Sequence, residues 1–521
     1  MKFQKLLALL SYVVFLVACG GGGGGGDTVN QTPIPIVNTA PVASAGADQS
    51  VLVSAVVTLD GSKSSDANSD PLTYAWTLST KPAGSAATLS SASAAKPTFT
   101  ADMAGTYAAT LTVNDGKLTS NPATVSVTSS LPTVLDLTSR VERLGNPYQA
   151  IYKDGTEYVY ARNVWDIQYY QGSIYLGAGN SSNYGPAQNA GPVSIIKYDV
   201  TAQTFSKEFV VDDEQIDIYN LLDSELYIAG HDPRESWDWG NFYRRENGGT
   251  WAKYRNIPNG IHTYSLTSYT GKIFGSVNGD NGGAVVSASA DRGKTWEMIP
   301  IGLSRVYGFL TVGGALHAIK EFPSAAQWAR MSANERILRN PVFEYILPNS
   351  FIPRADITRE VFFPSTAMRT DVSSKIFRPL AVADKSVYIG AYTHNDHQSL
   401  PFGVYIASSL RGGQVQVDRM PIPTSYRPWD LLLKDGYLYV LVEVQGLNKT
   451  IVKVIRSRLD KLTDWGDVFQ FDAPTFARSF EVVNNDFYFG LGSEIVTPDR
   501  WQQSELRPET GEILRIQRAL P

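Results

Sequence analysis

The sequence predicts an all-β chain in which an immunoglobulin-like sandwich precedes a seven-bladed β-propeller, and three observations carry that expectation. The first is a phrase repeated seven times, a polar turn followed by an aliphatic or aromatic pair: Ile174-Tyr175, Leu226-Tyr227, Ile273-Phe274, Leu316-His317, Val387-Tyr388, Leu438-Tyr439 and Phe487-Tyr488. Successive pairs stand 52, 47, 43, 71, 51 and 49 residues apart. A period near 50 in short β-rich runs is a blade repeat, because one four-stranded sheet cannot bury both of its faces alone and must stack on its neighbours around an axis. The second is a stretch of about ninety residues, 39–130, with short alternating runs between turn residues. The third is composition: 11% aromatic and only 18% charged residues suit an extracellular all-β protein.

The N-terminal residues give an address. Lys2 and Lys5 precede an apolar run over 6–17, which ends in Leu16-Val17-Ala18-Cys19. The run is too short and wrongly flanked for a spanning helix. It resembles a bacterial lipoprotein signal, which implies cleavage before Cys19, lipidation of that residue and attachment to a membrane through the lipid alone. Cys19 is the single cysteine of the 521 residues, so a disulfide cannot account for it. Residues 20–26 are all glycine and the stretch to 38 is rich in Thr, Pro and Asn, a composition that buries no core and reads as a tether. Gly20 after the cysteine suggests, by resemblance to sorting in diderm bacteria, the outer membrane or cell surface. A net charge of −5 with no basic block argues against nucleic acid.

In the first module the hairpin turns carry Asp60-Gly61-Ser62 and Asn114-Asp115-Gly116, where glycine supplies the positive φ that tight turns need. Together with Pro41-Val42-Ala43, Ala45-Gly46-Ala47-Asp48 and Asp70-Pro71-Leu72-Thr73-Tyr74-Ala75-Trp76, these residues resemble a PKD domain, which implies a spacer or adhesion module and no chemistry. Asp66, Asn68 and Asp70 have the alternate spacing of a calcium loop but lack its glycine and glutamate, so they read as a solvated turn and no metal site is expected.

Within the repeats, over 140–521, Ser289-Ala290-Asp291-Arg292-Gly293-Lys294-Thr295-Trp296 resembles an Asp-box (BNR repeat) of sialidase-type propellers, and Glu246-Asn247-Gly248-Gly249-Thr250-Trp251 reads as a degenerate copy. The resemblance implies a structural turn. An early Arg-Ile-Pro motif is missing, and Phe351-Ile352-Pro353-Arg354 has the wrong order and place, so sialidase activity is not expected.

Aligning the copies on their pairs places the residues nine to eleven positions earlier on the rim of a central funnel. Reading them off gives Asn163 and Trp165, Gln215 and Asp217, His262 and Tyr264, Arg305 and Tyr307, Arg378, Arg427 and Trp429, and Arg478. Loops after the second strands reach the same face and bring His231, His394 and His397, so four of the five histidines fall there, with His317 in the core. The longer fourth gap contains an inserted segment within 323–374, with a helical stretch over 324–338, read as a lid or wall against a plain surface insertion.

Arginine forks bind carboxylates and sulfates, and aromatic faces stack on sugar rings. The expected partner is therefore an acidic polysaccharide or surface glycan, held by Arg305, Arg378, Arg427, Arg478, Trp165, Trp429, His231 and His394. If the protein is an enzyme, β-elimination from a uronate fits this inventory best, with His262 as base and Tyr264 or Tyr307 as proton donor. The arrangement resembles propeller polysaccharide lyases in fold and residue types only. The alternative is a non-enzymatic receptor or scaffold, and no cofactor is assigned.

Overall fold

The computed structural model describes residues 37–519 apart from 54, 131–133, 155–156, 182–189, 232–234, 236–237, 259, 261, 279–282, 394–398, 446–449 and 494–506. Cys19, the glycine tether, His394 and His397 lie outside the described residues. The chain divides into two compact units, Met1–Thr133 and Val134–Pro521. Among the described residues no helix is long and apolar enough to cross a membrane.

Among its described residues the first unit has six strands. Gln49–Leu52, Ala123–Ser130, Gly105–Asn114 and Thr73–Thr80 form one sheet in that spatial order, and Val56–Thr58 pairs with Thr98–Thr100. Alternation in Gly105–Asn114 turns Tyr107, Ala109, Leu111 and Val113 inward onto Trp76, Phe99 and Val125. Asp66 Oδ1 accepts the backbone N–H groups of Asn68 (2.8 Å) and Asp70 (3.0 Å), so its carboxylate closes its own turn.

The second unit contains seven four-stranded sheets that resemble propeller blades, numbered I to VII in chain order of their first strands. Those first strands are Asp166–Tyr170, Tyr219–Leu222, His262–Tyr269, Val306–Val312, Ser373–Val382, Tyr426–Lys434 and Ala477–Val483. In sheets I to VI the four strands follow one another in the chain. Sheet VII takes three strands from the C-terminal end and completes itself with Glu142–Gly145. All seven repeated pairs fall on second strands and are buried, because these strands are covered on both faces.

Each first strand touches that of the next sheet, I against II through to VII against I. Buried acids bridge some of these seams: Asp166 accepts the N–H of Tyr219 (2.8 Å), Asp430 that of Phe480 (3.0 Å) and Glu481 that of Tyr169 (2.9 Å). In sheet VII, Arg515 pairs with Glu142 and Arg143 with Glu512, which ties the two ends of the unit together. The unit also begins earlier than the expected residue 140. Leu137 is buried beside Trp429 and its N–H donates to Gln470, so residues before 140 already pack on sheet VI.

The turn over 289–296 joins the third and fourth strands of sheet III. Asp291 accepts the Thr295 N–H (2.9 Å) and hydroxyl (2.7 Å), and Trp296 lies edge-on to Phe242 at 5.6 Å. Gly293 has φ +85°, and a Cβ there would strike the Phe242 ring. In the 246–251 turn the acid serves differently: Glu246 accepts from Arg244 and Tyr254 side chains.

The 323–374 segment is not one block. It holds α1 (Ala325–Arg330) and α2 (Ala333–Leu338), then two strands of sheet IV, then α3 (Arg359–Phe362). α2 packs against Glu297–Leu303, the outermost strand of sheet III, and α3 sends Phe362 into the core against Tyr388. α1 and α3 also bond the start of the first strand of sheet V, Gln327 accepting from the Ser373 hydroxyl (2.7 Å) and Arg359 donating to that of Ser374 (2.8 Å).

Candidate functional site

The site is built by irregularities in the first strands. Pairing with the second strand breaks between Thr263 and Ser265 in III, Val306 and Gly308 in IV, Phe377 and Leu380 in V, Pro428 and Asp430 in VI, and Ala477 and Ser479 in VII. The residues left out of the ladder are Tyr264, Tyr307, Arg378 with Pro379, Trp429 and Arg478. A bulge bends its strand and re-aims the extra side chain, which is how sheets present residues at functional rims. Each of Tyr264, Tyr307, Arg378, Trp429 and Arg478 stands nine positions before the first residue of its repeated pair, and the same offset in sheets I and II reaches Trp165 and Asp217.

These residues fall into two groups. In the first, the Arg478 guanidinium lies 3.9 Å over Trp165, 5.1 Å over Trp429 and 5.4 Å over Phe476. Trp429 is fully buried, stacked on Phe476 at 4.3 Å, and its Nε1–H donates to Glu443 (3.0 Å). Arg378, with φ +49°, pairs through Nη1 with Asp166 (2.8 Å) and through Nε with Asp430 (3.3 Å), and also donates to the Trp165 carbonyl. Burial pushes the Asp430 carboxyl up to about 7, with Arg378 opposing.

The four arginines therefore do not form one open ring. Arg378 and Arg478 are buried and bind groups of other sheets, and Trp429 has no ring face to offer a sugar. Arg427 is 45% exposed with Nη1 3.5 Å from Glu443. Arg305 is half-buried, with its guanidinium 5.8 Å over Tyr264. Trp165 is half-buried and donates from Nε1 to the Gly179 carbonyl (2.7 Å).

The second group links His231, held by Asp217, through the Tyr264 ring to His262, Arg305 and Tyr307. His231 Nδ1 is 2.6 Å from Asp217, whose other oxygen accepts from Gln215. Burial would raise the Asp217 carboxyl, but His231 outweighs it and holds the group at about 2. The His231 ring meets Tyr264 edge-on at 5.1 Å, while His262 stacks on Tyr264 at 5.8 Å and Tyr264 lies 5.7 Å from Tyr307. His262 Nδ1 stands 3.1 Å from the His231 carbonyl. A carbonyl only accepts, so Nδ1 carries the hydrogen, and in the neutral ring Nε2 keeps a lone pair for a proton. Burial raises Tyr307 to about 12, so at neutral pH it remains a phenol that can donate a proton. His317 is buried in the second strand of sheet IV, where desolvation lowers it to about 4.

Lys375 belongs to the second group and is not among the residues that the period identifies. Its Nζ lies 4.7 Å over the Tyr307 ring. Burial lowers Lys375 to about 8, with Asp217 opposing and Arg305 reinforcing the shift. The break in sheet V sits two pairing levels deeper than in the other sheets. Lys375 pairs with Ala391, four residues past the start of its repeated pair, the level held by Thr263, Val306, Pro428 and Ala477 in the other four sheets. The deeper bulge carries Arg378 inward to Asp166 and Asp430 and leaves Lys375 at the level of the rim.

A family model for a PKD domain matches residues 45–128, so this part of the chain is a PKD-like domain. No curated protein matches the chain in sequence. Among solved structures, the PKD domain from the KIAA 1837 protein is 32% identical, covering 19% of this chain and 93% of that one, with a TM-score of 0.16. A nucleoside hydrolase-related hypothetical protein from Saccharophagus degradans, associated with carbohydrate metabolism, is 21% identical over 18% of this chain, with a TM-score of 0.17; the chain spans 26% of that structure's length. A quinonprotein alcohol dehydrogenase-like protein from Bacteroides thetaiotaomicron is 12% identical, with 82% of this chain covering 94% of it at a TM-score of 0.35.

Proposed function

We propose that the chain is an exported surface protein, lipid-anchored through Cys19, whose second unit is a seven-bladed propeller that binds an acidic glycan at the Asp217 group. The observation that carries the reading is two cationic side chains, Arg305 and Lys375, set against the faces of Tyr264 and Tyr307 beside two histidines. Aromatic faces take the apolar side of a sugar ring, and neighbouring cations take its carboxylate or sulfate. Calorimetry of the purified protein with a panel of uronate and sulfated oligosaccharides tests it. Arg305→Ala is expected to weaken binding by about 1.5–3 kcal/mol, and an unchanged affinity would remove Arg305 from the site.

A second reading, β-elimination, is favoured by the His262 hydrogen bond, which leaves Nε2 able to accept a proton. In that step Nε2 takes the C5 proton of a uronate while Arg305 and Lys375 neutralise the carboxylate. The released electron pair forms the C4=C5 bond, the C4–O bond breaks, and Tyr264 or Tyr307 protonates the leaving oxygen. Ultraviolet absorbance of the unsaturated product distinguishes this lyase from a receptor that only binds.

The anchor has its own test. Cys19→Ser is expected to move the protein from the membrane to the soluble fraction, and equal membrane association of the variant would refute lipidation.

A further inference from the structure

We propose that Lys375 is the residue that selects anionic over neutral sugars, its ammonium forming with Arg305 the subsite for an acidic group on the sugar ring. The inference rests on the glycan-binding reading above and names the group on which its selectivity turns.

Several other buried or half-buried cations of this unit have committed partners among the described residues. Lys453 pairs with Asp467, Lys197 with Glu208, Lys253 with Asp212 and Glu235, Arg354 with Glu344 and Asp356, and Arg378 with Asp166 and Asp430. Lys320, fully buried, donates to the carbonyls of Ile301 and Leu338. Lys375 differs: it is half-buried, its Nζ faces the Tyr307 ring, and its ammonium makes no hydrogen bond or ion pair among the described residues. The acids that bear on it are engaged elsewhere, Asp217 with His231 and Gln215, and Glu321 with the Thr393 hydroxyl (3.1 Å).

A desolvated ammonium beside a second cation is costly, and an incoming oxyanion that bonds it directly relieves both the lost hydration and the repulsion from Arg305. The Tyr307 ring holds the cation from one side by its negative face and leaves the remaining N–H donors to the ligand. Carboxylate and sulfate share this chemistry, so the experiment separates them.

Wild-type protein is acetylated with limiting acetic anhydride, alone and with an oligoglucuronate, its methyl ester or a sulfated neutral oligosaccharide, and modification of Lys375 is read by mass spectrometry. Protection by the oligoglucuronate and not by the ester supports the proposal with a carboxylate ligand. Protection by the sulfated sugar alone supports it with a sulfate ligand. Equal labelling of Lys375 under all conditions overturns it. Where calorimetry then still shows binding of a charged oligosaccharide, the glycan-binding reading stands without Lys375; where it shows none, that reading falls as well. Lys375→Met is expected to lower affinity for the protecting sugar about tenfold or more and Lys375→Arg to preserve the preference for acid over ester.

Discussion

Arg378→Met is expected to destabilise the second unit by about 3–5 kcal/mol, because it removes one partner of a buried ion cluster and leaves the others uncompensated. Arg378 joins Asp166 of sheet I and Asp430 of sheet VI from its place in sheet V, so its loss strands two carboxylates and loosens three sheets at once. The deficit should depend on pH. Burial already raises Asp430 from 3.8 to about 7 against the pull of Arg378, and removing the arginine raises it further. A carboxyl whose folded value is raised gives stability that is present below the unfolded value and is lost as pH rises through the folded value. Below about 7 the folded Asp430 is protonated in both proteins, so the deficit should be constant there and should grow as pH rises above about 7, where the wild type ionises Asp430 beside Arg378 and the variant resists it. Thermal melts at several pH values check this, and a difference that stays constant as pH rises through and above about 7 would mean that Asp430 is not the group left exposed to the loss.

On the proposed β-elimination reading, His262→Ala is expected to lower turnover of a uronate glycan by about 10²- to 10⁴-fold while leaving its dissociation constant nearly unchanged. Its ring is oriented by the His231 carbonyl, and His231 is itself held by Asp217, so the imidazole sits at the end of a fixed chain of contacts. Loss of binding together with turnover would make His262 a binding residue. Unchanged turnover would place the base elsewhere.

Much of the architecture is legible in the period alone. All seven repeated pairs mark second strands, because a strand covered on both faces must be apolar at consecutive positions, and that demand is local to each repeat. The residues nine positions before each pair, expected on a rim, include Tyr264, Tyr307, Arg378, Trp429 and Arg478, and the pairing of the strands shows that the first strands bulge at these positions.

What each of those side chains meets was decided only by the tertiary structure. Arg378 and Arg478 share a register with Tyr264 and Tyr307, yet acids and indoles from sheets far away in sequence enclose them, and no local pattern announces a partner more than 200 residues distant. Lys375 shows the converse. Two levels of added depth in one bulge exchange an arginine for a lysine at the rim, and a register counted along the chain is blind to a shift that exists only between paired strands.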